Sequence, residues 1–252
     1  MRSRNIAIVN LKGGVGKTTS AVSLGAGLAL AGRKTLIIDL DSQGQIARSL
    51  GLQPELGLAE LLEGQATLEE VQVQARDLLW IIGGSRGLAG SKRIIARKDM
   101  RAEFFLSEAL AKLSGYEYVL LDFAPSWDVL SVNGLFYADE VLIPVSMEAL
   151  ALSGLADLVS SVADVQRYKP ELKLRYILPT FFDLRVRKSE EILAQLRSHF
   201  GEIVLEPVRY SVRLSEAPGQ AQTIYEYDRG SPGALDYAKL TARIIQDEQL
   251  QT

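Results

Sequence analysis

The stretch Lys12-Gly13-Gly14-Val15-Gly16-Lys17-Thr18-Thr19 crowds three glycines, two lysines and two threonine hydroxyls into eight residues. Glycines let backbone N–H groups converge on one point. With the partial positive charge of a following helix N-terminus, they hold phosphate oxygens. In such a cradle Gly13, Gly14, Val15, Gly16 and Thr19 supply backbone donors. Lys17 reaches the β and γ phosphates of a nucleotide, and the Thr18 hydroxyl ligates Mg²⁺. The cradle has this meaning only between a strand and a helix. Ile6 to Val9 is an apolar run that reads as a buried strand, and Ala21 to Leu30 reads as a helix.

Two further sites carry carboxylates. Lys34 to Asp39 reads as a strand ending in Asp39-Leu40-Asp41-Ser42-Gln43-Gly44. Acids at the C-terminal end of a strand point into the crevice where open α/β sheets bind ligands. One such carboxylate orients an attacking water and another supports the metal's shell. Tyr116 to Asp122 is an apolar strand that also ends on an acid, and Asp122 is placed to hold Mg²⁺ through a bound water. Phe123-Ala124-Pro125-Ser126-Trp127 follows as a loop able to sense a terminal phosphate.

These groups need a scaffold that brings strand ends together. Strands are expected at Leu78 to Ile82, Val141 to Val145 and Leu174 to Leu178. Helices are expected around Leu58 to Glu63, Leu68 to Gln74, Phe104 to Leu113 and Leu150 to Tyr168. Strands alternating with helices predict an α/β fold, a mainly parallel sheet with helices on both faces. No repeat, low-complexity tract or linker divides residues 1–252, so one domain is expected.

Composition narrows the chemistry. With no cysteine the chain has no disulfide, thiolate zinc site or cysteine-held iron–sulfur cluster. No apolar run is long enough to span a bilayer, and Met1-Arg2-Ser3-Arg4 leads straight into a strand without a signal peptide, so a cytoplasmic protein is expected. A net charge of −3 means that any nucleic-acid binding needs a local basic patch. Two clusters qualify: Lys92, Arg93, Arg97, Lys98 and Arg101, read first as a solvated face, and Arg185, Arg187, Lys188, Arg197, Arg209 and Arg213. His199 lies far from every motif and reads as structural.

Lys12 to Thr19 has the form K-G-G-x-G-K-[ST], with Leu11 where the ordinary pattern has glycine. This is the deviant Walker A form of the P-loop. The chain resembles the ParA/Soj family of partition ATPases in four more stretches, in family order. They are Asp39 to Gly44, Asp122 to Ser126, Ile143-Pro144-Val145, and Val212-Arg213-Leu214-Ser215-Glu216-Ala217-Pro218. The resemblance implies an ATPase using ATP and Mg²⁺ that forms a nucleotide sandwich homodimer. Such a dimer coats double-stranded DNA without sequence preference, is nucleoid-associated, and is released when a ParB-like or other adaptor protein stimulates hydrolysis. It implies that Lys12 acts across the dimer, Lys17 on its own nucleotide, Thr18 and Asp122 at the metal, and Asp41 on the attacking water. Arg185 and Arg213 fall where the family places DNA contacts, with Arg187, Lys188 and Arg209 as further candidates.

Three positions depart from that pattern. Ser42 and Ala124 each replace a proline, the first expected to loosen its turn, and Tyr210 stands where a basic residue is usual, with Arg209 one position earlier. No helix-turn-helix precedes the cradle, so sequence-specific repressor activity is not expected. Three alternatives share parts of the pattern. A membrane-bound MinD-like ATPase would need a basic amphipathic C-terminal helix, whereas Ile244 to Thr252 is acidic and polar. A dethiobiotin-synthetase-like ligase would lack both the second lysine and the Val212 to Pro218 stretch. The same ATPase positioning carboxysomes or chemoreceptor clusters would differ only in its adaptor.

Overall fold

A computed structural model of the chain describes residues 3–148 and 151–249. In chain order the first half comprises β1 (Arg4–Ile8), α1 (Lys17–Leu30), β2 (Thr35–Asp39), α2 (Gln45–Ser49), α3 (Leu58–Leu62), β3 (Gln72–Arg76), β4 (Leu79–Ile82), α4 (Leu88–Ala96), α5 (Phe105–Ala109) and β5 (Tyr118–Asp122). The second half comprises α6 (Val129–Tyr137), β6 (Glu140–Ser146), α7 (Ala151–Gln166), β7 (Lys173–Thr180), α8 (Arg187–Phe200), α9 (Val212–Glu216), α10 (Ile224–Tyr227) and α11 (Pro232–Gln249).

The described strands form one seven-stranded sheet in the order β3-β4-β2-β5-β1-β6-β7. Every neighbouring pair is parallel except β3–β4, which is antiparallel at one edge. Alternate side chains of the central strands feed two cores. Ala7, Leu36, Ile38, Val119 and Leu121 face one, and Ile6, Ile8, Ile37, Tyr118 and Leu120 face the other. This two-sided burial is why the strands read as unbroken apolar runs.

Two expected helices are corrected. Leu68 to Gln74 does not form a helix; its last residues enter β3. The segment alternates in steps of two, and Val73 and Ala75 pack beneath the sheet edge while Gln74 between them is exposed. Phe104 to Leu113 is not one amphipathic helix but a 3-10 turn, Ala102–Phe104, followed by α5. The buried Asn133 amide accepts from the Leu106 N–H at 2.9 Å and donates to the Ala102 carbonyl at 2.9 Å, fixing the break between them. The expected helix at Leu150 to Tyr168 is α7; Leu150 itself lies outside the described residues.

Close approaches position the strand ends. A Cβ added at Gly134 of α6 would lie 2.5 Å from Phe123 and 2.7 Å from Leu40, the residues that immediately follow Asp122 and Asp39. Gly134 therefore sets how near α6 comes to both acid-bearing loops. Overpacking of this kind costs about 1–3 kcal/mol. Gly154 on α7 is exposed with open space before it, and a helical glycine there is about 0.5–1 kcal/mol worse than alanine. In urea denaturation Gly134→Ala is expected to lower stability and Gly154→Ala to raise it; equal shifts would refute the packing argument.

Candidate nucleotide-binding site

Register brings the candidate groups together. Ile8 on β1 and Asp39 on β2 are both paired with Asp122 on β5, so three loops leave adjacent strand ends. The glycine-rich loop turns through Gly14 at φ 73° and Gly16 at φ 88°, left-handed conformations that side chains rarely adopt, and Gly16 is the N-cap of α1. A Cβ at Gly14 would meet nothing within 4 Å, so the loop faces open space. Its base is pinned by Asn10, whose amide donates to the Pro144 carbonyl at 2.8 Å and whose oxygen accepts from the Lys12 N–H at 2.9 Å.

Lys17 is buried, and its ammonium donates to the Lys12 carbonyl at 3.0 Å. Burial lowers its pKa, opposed by the charges of Asp122 and Asp41. The Thr18 hydroxyl donates to Asp122 Oδ2 at 2.7 Å. Asp122 Oδ1 is fully buried and has no hydrogen-bond partner among the described residues. Burial, reinforced by the charge of Asp39, pushes the Asp122 carboxyl well above the usual range. Burial likewise pushes Asp39 to about 7, against the N–H groups of Asp41 and Ile46 that it accepts at 2.9 and 3.2 Å. Two adjacent buried acids, one with an orphaned oxygen beside a hydroxyl, form a hard oxygen donor set that fits Mg²⁺.

Asp41 sits at the turn after β2. Its carboxylate accepts from the Gln43 N–H at 3.0 Å and its carbonyl from the Gly44 N–H at 3.1 Å, so the turn is closed with Ser42 in it. After Asp122 the loop runs to Asp128, which caps α6 through the N–H groups of Leu130 and Ser131 and pairs with Lys92 of α4 at 2.7 Å. Trp127 in that loop is 39% exposed and lines a groove of about 550 Å³ with Phe104, Phe136 and Tyr168.

Spacing gave no sign of a second cavity, about 330 Å³, against the cradle. Gly16, Phe181, Val208, Tyr210, Ser211 and Leu214 are among its lining. Phe181 adopts φ 53° and is 42% exposed, and Thr180 donates to the Val15 carbonyl at 2.9 Å. The volume and the aromatic walls suit a planar base. Val212 to Pro218, singled out in the sequence, folds as α9 and the start of a 3-10 turn between this cavity and a smaller one beside Thr18 and Thr19.

The remaining candidates are the outer lysine and the basic residues of the second half. Lys12 reaches outward, half exposed, and pairs with Glu148. The arginines of the expected DNA surface are engaged within the chain. Arg185 binds Asp183 through two nitrogens at 2.9 and 2.7 Å, and Arg187 pairs with Glu191 at 3.2 Å. Arg213 pairs with Glu216 at 2.9 Å and Asp228 at 3.4 Å. Arg209, a further DNA-contact candidate beside Tyr210, is bound through two nitrogens at 2.8 Å by the buried Asp236, which ties it to α11. Arg197 pairs with Glu206, and His199 contacts the Gln195 carbonyl on its own helix. The Lys188 side chain makes no ion pair among the described residues.

A parallel sheet with a glycine-rich turn running into α1, and acids on the flanking strand ends, defines a P-loop nucleotide phosphohydrolase. Known proteins narrow the class. The AAA domain family matches residues 3–174. The chromosome-partitioning ATPase Soj of Treponema pallidum is 38% identical over 246 residues, 96% of this chain and 97% of its own. The chromosome partitioning protein ParA of Caulobacter vibrioides is 35% identical over 255 residues, covering 98% and 95%. A cobyrinic acid a,c-diamide synthase from Mycobacterium smegmatis, solved with an ATP analogue and magnesium, is 30% identical with a TM-score of 0.86, covering 100% of this chain and 98% of its own. The chain belongs to the ParA/Soj family of chromosome-partitioning ATPases and is itself an ATPase.

Removing the hydroxyl beside the orphaned acid tests the metal assignment. Thr18→Val is expected to weaken Mg²⁺-dependent binding of a fluorescent ATP analogue at least about tenfold, the value of a charge-assisted contact, and to leave the weak Mg²⁺-free binding unchanged. Equal losses with and without Mg²⁺ would remove Thr18 from the metal shell.

Proposed function

We propose that this chain is an ATP-driven partition switch. Two copies close face to face over ATP, the dimer binds duplex DNA without sequence preference, and an adaptor protein releases it by stimulating hydrolysis. The observation that carries this reading is the second lysine. Lys12 belongs to the phosphate loop, yet its ammonium points out to Glu148 while Lys17 occupies the inner position. A lysine on the rim of a phosphate cradle has a phosphoryl target only if a second copy brings one.

In that dimer the glycine-rich loop and Lys17 bind the triphosphate, and the cavity at Phe181 and Tyr210 takes the adenine. Thr18 and Asp122 would hold Mg²⁺, which would supply positive charge to the bound triphosphate. Asp41 accepts a hydrogen bond from the attacking water and aligns it with the γ-phosphorus. Negative charge growing on the transferring phosphoryl group is met by Lys17 and by the partner's Lys12, as an arginine finger would meet it. The closed turn at Asp41 and the capped loop at Asp128 hold these groups before ATP arrives, which lowers the reorganisation the reaction requires.

Duplex binding draws on Arg185, Arg187, Lys188 and Arg213. Exposed ion pairs are worth little, about 0–1 kcal/mol, so phosphates can compete for arginines already paired at the surface. Arg209, held by a buried acid, is outside this set.

Lys12→Ala is expected to retain ATP binding and to lose at least about tenfold in adaptor- and DNA-stimulated hydrolysis, the scale of a lost transition-state charge contact. A variant within twofold of the parent would remove Lys12 from the chemistry. Asp41→Ala is expected to slow hydrolysis while the cradle still binds ATP, so size-exclusion chromatography with ATP and Mg²⁺ should show a persistent dimer. A monomer at saturating ATP would move the water-orienting role elsewhere, to Asp39 first.

A further inference from the structure

The basic run after β4 folds into a feature that its composition does not reveal. Between Arg86 and Arg101 there are six cations and a single acid, Asp99. Three of the cations are committed: Lys92 to Asp128, Arg101 to Glu108, and Lys98 over the Phe105 ring at 4.4 Å. Arg86, Arg93 and Arg97 are all exposed, and their guanidinium groups make no hydrogen bond or ion pair among the described residues. The turn before α4 is closed by the Ala89 N–H, which donates to the Arg86 carbonyl at 3.2 Å. Arg93 and Arg97, four residues apart, share one face of α4, and Arg86 lies in the turn that leads into it, so the three arginines follow one another along the helix and its entry. The opposite face, Leu88, Ser91 and Ile95, is buried, which fixes the stripe outward.

This stands in contrast to the arginines at 185, 187, 209 and 213, each of which already has a carboxylate. It also differs in its attachments. A Cβ on Gly44 would lie 2.6 Å from the Gly84 carbonyl, and one on Gly84 would lie 3.1 Å from the Asp39 carboxyl carbon, so the loop leading into α4 abuts the Asp41 turn. From its other side α4 is tied by Lys92 to Asp128, at the end of the loop that follows Asp122.

We infer that the Arg86–Arg93–Arg97 stripe is a phosphate-binding surface laid along one strand of duplex DNA, additional to the α8 and α9 cations and mechanically joined to both loops that meet the nucleotide. Three exposed guanidinium groups spread along a helix and its entry turn can each meet a separate backbone phosphate. A row of unpaired, like-charged side chains fits a stiff polyanion. An acidic protein would instead need a continuous apolar core, and the exposed apolar side chains here, Ile94 and Met100, are two separate residues. The inference rests on the DNA reading proposed above. Through Gly84 and Lys92, a change in either nucleotide loop is transmitted to the stripe, so duplex affinity should differ between ATP and ADP by a path that does not pass through α8.

The test measures anisotropy of a short labelled duplex with the full chain, ATP and Mg²⁺, over a salt series. The triple variant Arg86→Gln, Arg93→Gln, Arg97→Gln should reduce the slope of log K against log salt by about 2.7 per copy, and Arg93→Gln alone by about 0.9. Arg185→Gln with Arg187→Gln serves as the parallel variant, and melting curves confirm that each variant is folded. A parent that binds duplex and a triple variant with an unchanged slope would overturn the stripe and leave the partition reading intact. Duplex ignored in every nucleotide state would sink the DNA reading, and the stripe with it. Loss of polyglutamate binding by the triple variant, with duplex binding untouched, would assign the surface to an acidic protein and overturn the proposal.

Discussion

Two carboxylates buried side by side at the ends of neighbouring strands are the constraint around which the site is arranged. Asp39 and Asp122 are paired in register and fully buried, with one ammonium, Lys17, drawn in towards them. Burying like charges is unfavourable, and both acids hold protons far above the usual carboxylate range. The arrangement is a stored demand for a cation. The Thr18 hydroxyl already donates to one oxygen of Asp122, and the other oxygen is buried without a partner among the described residues.

The surrounding packing holds that demand in place. Gly134 lets α6 come against both acid-bearing loops, Asn10 fixes the loop entrance to β6, and Asp128 fastens the far loop to the helix it starts. Asp39 serves twice, as a member of the acid pair and as the acceptor that ties the Asp41 turn to the first N–H groups of α2. Each of these contacts sets the position of a neighbouring group at the crevice.

Much of this was legible in the chain. The glycine-rich stretch, the acids at 39, 41 and 122 and the parallel sheet followed from residue types and from apolar runs whose ends coincide with polar loops. What escaped depended on tertiary neighbours. β3 was hidden because Leu68 and Val71 suggest a helical stripe, while the alternation that decides the matter starts only at Val73. The Asn133 contacts that break the α5 segment join residues about thirty apart in sequence. Charge was the least legible property. Arg209 and Arg97 are equivalent in a count of basic residues, but one is held by a buried acid and the other stands free.

The bond from Lys17 to the carbonyl of Lys12 couples the two lysines mechanically. An ammonium carries three protons, so the inner lysine can hold that carbonyl and still present two donors elsewhere. The backbone of the outer lysine is thereby clamped twice, at its N–H by Asn10 and at its carbonyl by Lys17. A substitution at Lys17 removes a buried charge and a backbone anchor together, so its effect falls on the outer lysine as well as on the inner one.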